Sequence, residues 1–210
     1  MRRVLYTLIV AVAVMLVPTT ASAQFSLSRL LGGLSQAASQ NEQKREKDPY
    51  QRLAEAAPSL STLNGTWTYQ SASFSYLGNS PLADIAIAQI DPIVVSTLKQ
   101  LNITPGSVTL RLSGGKGTLK HGDNKLEGTY VYTRSMAAIV AETTLDGKRV
   151  KASGYVRYES GELTVMLDAR ELITAMTTVL PELKKDQNII LLETLLKDLK
   201  DVYVVGKFTK

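Results

Sequence analysis

The chain of 210 residues carries one histidine, His121, and no cysteine. A zinc site built from imidazole and thiolate ligands therefore lacks its parts. A Ser-His-Asp relay would have to run through His121. That residue stands in LKHGDNK, where Gly122 and Asp123 mark a hairpin tip, so the sequence predicts a solvated side chain rather than a catalytic base. The run SGGKGT at 113–118 has the glycines and lysine of a phosphate loop. It lacks the G-x-x-x-x-G-K-[ST] spacing and joins two strand-like runs, so it predicts a turn. Asp84 and Asp91 lie seven residues apart on a helical stretch, and Glu182 precedes Lys184 and Lys185. These read as surface charge. The expectation is a chain with no catalytic residue, no metal ligand and no cofactor, and so not an enzyme.

What remains is apolar and aromatic, and its placement depends on the elements that carry it. Beyond residue 63 the pattern has period two, which means strands with one buried side. Trp67 and Tyr69 share a face in LNGTWTYQ. So do Val108, Leu110 and Leu112; Leu126, Gly128, Tyr130 and Tyr132; Val150, Ala152, Gly154, Val156 and Tyr158; and Leu163, Val165 and Leu167. Ser113-Gly114-Gly115, Gly122-Asp123-Asn124, Asp146-Gly147 and Ser160-Gly161 predict tight turns between them. With runs at 117–121, 136–143 and 202–209 the count reaches eight strands, six of them in an unbroken meander over 107–168. Helical patterns interrupt at 80–101 and 169–200. In the second, Leu172, Ile173, Met176, Val179 and Leu180 form one apolar stripe, and Ile189, Leu192, Leu195, Leu196 and Leu199 another. The predicted fold is mainly β: an eight-stranded antiparallel up-and-down barrel, with helical insertions after the first strand and before the last. Pairing the first strand with the last would remove both sheet edges.

The N-terminus bounds where such a barrel works. Arg2 and Arg3 precede an apolar run over 4–17, and Ala21-Ser22-Ala23 has the small-residue pattern of a cleavage site. Residues 1–23 are read as a signal peptide cut after Ala23, which predicts a mature protein exported to the periplasm or beyond, with no transmembrane span. Residues 24–60 read as a flexible or partly helical tether, and 61–210 as the barrel domain. Removing the leader, with two arginines and no carboxylate, takes the formal charge from +5 to +3. That mild balance argues against a nucleic-acid partner.

Gly65-Thr66-Trp67 on the first strand resembles the G-x-W signature of the lipocalins and their calycin relatives. There the tryptophan packs inside one end of the barrel. LNGTWTY, EGTYVY and the ending DVYVVGKFTK are together similar to a family of secreted lipocalin-like proteins of unknown function from gut anaerobic bacteria. True lipocalins cover the tryptophan with an arginine of the last strand, where this chain offers Lys207 and Lys210.

A small eight-stranded barrel is either filled by side chains or holds one small ligand. LADIAIAQI, with Leu82, Ile85, Ala86, Ile87, Ala88 and Ile90, is apolar over most of a helix circumference. It reads either as core that plugs the barrel or as a lid over a cavity. The function expected is binding of a small apolar or amphipathic molecule, lined by Trp67, Tyr69, Tyr130, Tyr132 and Val156, with Ile85 and Ile90 from the lid. The alternative is a filled barrel acting as a cell-envelope interaction module, docking a protein partner through the 169–200 helices or the tether.

Overall fold

The computed structural model of the chain describes residues 48–78 and 102–210, with Ile87, Val95, Leu98 and Lys99 between them. Its centre is a closed barrel of eight strands: β1 (Gly65–Tyr76), β2 (Val108–Ser113), β3 (Lys116–His121), β4 (Asn124–Thr133), β5 (Ala138–Leu145), β6 (Lys148–Glu159), β7 (Glu162–Asp168) and β8 (Val202–Thr209). Each strand pairs antiparallel with the next, and β8 returns to β1. The expected architecture is thus present. Two-residue turns make four of the five hairpins, and residues 134–137 join β4 to β5. At Gly114-Gly115 both residues have positive φ, +55° and +78°, the backbone that a tight hairpin requires.

Alternation puts the expected faces inside. Val150, Ala152 and Val156 of β6 are buried, and so are Val108 and Leu112 of β2. The first strand obeys the rule only in two halves. Trp67 and Tyr69 are buried, and then Ala72 and Phe74, so the buried parity changes from odd to even. The cause is a bulge: Tyr69 faces Phe208 while Ser71 faces Lys207, which leaves Gln70 as an extra residue. Its side-chain amide donates to Thr209 Oγ1 at 2.9 Å.

Two short helices precede β1: α1 (Pro49–Glu55) and α2 (Leu60–Leu63). Asp48 caps α1 by accepting from the Tyr50 amide, and Ser59 caps α2 by accepting from the Thr62 amide. α1 lies on the outside of the barrel. Its Leu53 packs with Met166, Tyr203 and Val205 in a small cluster of buried outward-facing residues. This explains VYVV in β8: both faces of that strand are covered, so it reads as a continuous apolar run. Tyr155 meets Tyr50 at a tilt and Tyr203 edge-on, at centroid distances of 5.5 and 5.6 Å.

Between β7 and β8 lie α3 (Ala169–Val179) and α4 (Gln187–Asp198). The expected α3 stripe is buried, and Ile189, Leu192 and Leu196 of α4 are buried as well. Of the 80–101 insertion, Ile87, Val95, Leu98 and Lys99 are helical, with Ile87 and Leu98 in the main core. Ile85 and Ile90 lie outside the described residues. No helix among the described residues is long and apolar enough to cross a membrane.

His121 stands at the hairpin tip, as expected, and is half-buried. It holds the last ladder position of β3, facing Asn124 across the Gly122-Asp123 turn, and its Nε2 lies 3.2 Å from the Asn102 carbonyl. Its Nδ1 is buried without a partner among the described residues.

Candidate functional site

The barrel has a closed end and a capped end. At the closed end, α2 inserts Leu63, which has no exposed surface, and Trp67 packs beneath it. The Trp67 Nε1 donates to the Leu63 carbonyl at 2.9 Å. Tyr158 meets the indole edge-on at 6.0 Å, and the Lys210 ammonium stands 4.7 Å over the ring. The lysine does what the lipocalin arginine does, as a cation on the indole face. The signature glycine has its own reason. Gly65 has φ of +145°, and a Cβ there would lie 3.2 Å from the stem of Lys210. A side chain would be strained and would crowd the lysine that covers Trp67.

Above this floor the barrel is hollow. A cavity of about 290 Å³ runs from Tyr69, Tyr130 and Phe208 to the underside of α3, where Leu172, Ala175, Met176 and Val179 face it. Small residues make the room. Gly117 of β3 pairs directly with Gly128 of β4, and Ala141 of β5 with Ala152 of β6, and all four line the space. Larger residues at Gly117, Ala141 and Ala152 would have filled it, whereas at Gly128 a Cβ would run into the Glu142 carbonyl. Glu142 and Lys151 also border the cavity. The strand alternation turns their side chains outward, and Glu142 is ion-paired with Arg149 there. The lining is therefore almost wholly apolar.

The cap is anchored at both ends. Asp168 caps α3 by accepting from the Glu171 amide at 2.9 Å. The Glu171 carboxylate accepts from the amide and hydroxyl of Ser153 on β6. At the other end Lys148 Nζ donates to the Thr178 carbonyl at 2.5 Å. Arg170 donates to the Leu199 carbonyl and so ties α3 to the end of the α4 segment.

Of the residues expected to line a site, Tyr69 and Tyr130 do. Trp67, Tyr132 and Val156 sit at the closed end, outside the cavity lining. Val156 is fully buried there, and Tyr132 donates its hydroxyl to the Pro58 carbonyl at 2.7 Å. Burial raises the pKa of both Tyr69 and Tyr132. Sequence reasoning missed the cap role of Leu172 and Met176 and the small residues that create the space. The inward parity of Gly117, Gly128, Ala141 and Ala152 was the available signal. Among the described residues, no cluster of three or more His, Asp or Glu side chains could hold a metal ion.

A closed eight-stranded barrel with a tryptophan floor, a hollow apolar interior and a helical cap defines a lipocalin-like protein. Residues 43–210 match the model of the lipocalin-like domain family DUF4923, and the chain belongs to that family. No curated protein and no solved structure matches it.

Proposed function

We propose that this protein binds a small apolar or amphipathic molecule inside its barrel and performs no chemistry on it. The observation that carries the reading is the apolar cavity of about 290 Å³ between the tryptophan floor and α3. That volume stands at the small end of the range for ligand pockets. An apolar void of this size loses packing contacts that a filled core would keep, and a bound ligand restores them. Membership of a lipocalin-like family supports small-molecule binding in general. We also propose that the chain is exported, with residues 1–23 removed after Ala23, on the strength of its leader-like sequence.

Native mass spectrometry of the exported chain, purified without detergent, tests both parts. Export predicts a polypeptide mass beginning at Gln24. Binding predicts a discrete added mass, lost on denaturation, or uptake of a species from a lipid mixture. A clean apo mass with no uptake refutes the binding reading.

A further inference from the structure

The tyrosines around the barrel interior do not have equivalent hydroxyls. Tyr130 donates to Asn64 Oδ1 at 3.2 Å and Tyr132 to the Pro58 carbonyl at 2.7 Å. Both are engaged by the segment that closes the floor. Tyr69 is only 6% exposed and lines the cavity, yet its hydroxyl has no hydrogen-bond partner among the described residues. Burial alone raises its pKa, with no hydrogen bond or charge contributing. The ring is held in place. Phe208 meets it edge-on at 6.0 Å, and the Tyr69 carbonyl accepts from the Gly106 amide at 2.8 Å.

Among the described residues, the other polar side chains that border the cavity turn outward or are paired. Thr143 spends its hydroxyl on the Glu127 carbonyl at 2.6 Å. Thr118 and Thr129 occupy outward positions on their strands, opposite Glu127 and Glu142. The Tyr69 hydroxyl can both donate and accept, so it can answer either kind of ligand oxygen.

We infer that Tyr69 is the polar anchor of the cavity and that the ligand is a neutral medium-chain amphiphile carrying one hydroxyl, ketone or ester oxygen. This rests on the reading of the cavity as a ligand site. The size follows from the volume: at about 30 Å³ per water-sized group, 290 Å³ holds about ten such groups. Neutrality follows from the lining. Lys151 points outward, so a carboxylate drawn into the cavity would be desolvated with no cation beside it.

The test is calorimetric titration of the full mature chain with decan-1-ol, decan-2-one and undecane, repeated on Tyr69→Phe. These probes have similar size and differ in their oxygen. Relative to undecane, the alcohol and the ketone are expected to lose about tenfold in affinity in Tyr69→Phe, the worth of the hydrogen bond that is removed, while undecane affinity stays the same. An alcohol-to-undecane or ketone-to-undecane ratio unchanged by the substitution overturns the inference. Undecane binding, which needs no hydroxyl, reports that the variant cavity is intact. Decanoate binding as tightly as decan-1-ol would overturn the neutral class. Failure of all three probes to bind would overturn the ligand-site reading itself, and this inference with it.

Discussion

Replacing Trp67 with alanine strips the floor from the barrel. The side chain has no exposed surface and touches three things at once: the Leu63 carbonyl, the Tyr158 ring and the Lys210 ammonium. Removing a buried aromatic of this size costs about 3–5 kcal/mol in transfer and cavity terms. The Leu63 carbonyl then loses its donor in a dry site, and the cation over the indole loses about 0.5–1 kcal/mol of attraction. Together these terms give about 5 kcal/mol or more. With a urea slope of about 2 kcal/mol/M, the midpoint should fall by about 2.5 M or more. Far-UV circular dichroism is the right probe, because the substitution removes the chain's only tryptophan. Trp67→Phe keeps most of the buried area and loses the hydrogen bond, so it should cost about 1–2 kcal/mol. A loss below about 1 kcal/mol for the alanine variant would refute the whole account of the G-x-W motif. The indole would then not be the packed floor of a barrel.

Three other outcomes follow from the same structure. Ala152→Leu places three carbons in the cavity; stability measured in urea should change by less than about 1 kcal/mol, while bound mass in native spectra is lost. Gly154→Ala should cost about 3 kcal/mol or more, because a Cβ there would run into the Met166 carbonyl on β7, and an unchanged melting curve would contradict that packing. The Tyr203 phenol, buried under α1, has its pKa pushed up to about 12 from 10.0. The folded state thus keeps a proton that the unfolded chain releases near pH 10. The contribution is complete below pH 10 and is lost as the pH rises to about 12. Stability should fall across that window, and Tyr203→Phe should flatten part of the fall in urea titrations at stepped pH.

The barrel was legible because its signals are local. Period-two runs and two-residue turns such as Gly114-Gly115 and Asp146-Gly147 speak for themselves, and six hairpin-linked strands need no long-range information. The second half of β1 was not legible. The bulge at Gln70 breaks the period, so Ala72 and Phe74 look misplaced until the register with β8 is known. The outer cluster beneath α1 was hidden for a related reason: Tyr203 and Val205 sit on the solvent parity of a strand whose solvent face is covered. The cavity was half legible. Tyr69 and Tyr130 could be placed on its wall because aromatic residues on inward parity are conspicuous. The emptiness beside them was not, because a cavity is a property of what small residues such as Gly117, Ala141 and Ala152 fail to fill. Leu172 and Met176 read correctly as the buried stripe of a helix, but nothing in a stripe tells a cap from a core.

Barrel closure has a kinetic consequence. The β1–β8 seam joins residues far apart along the chain; the hydrogen bond from Gln70 to Thr209 spans 139 positions. Every other strand pair except β1–β2 and β7–β8 is a hairpin or a short connection that can form as soon as its two halves meet. The seam cannot. Until β8 arrives, β1 and β7 each present an unpaired edge, and the apolar interior lies open along one side. A topology dominated by so distant a pairing folds slowly for its size. Its most hazardous state is a curled sheet of seven strands waiting for the eighth, with VYVV as the apolar segment still free to find the wrong edge.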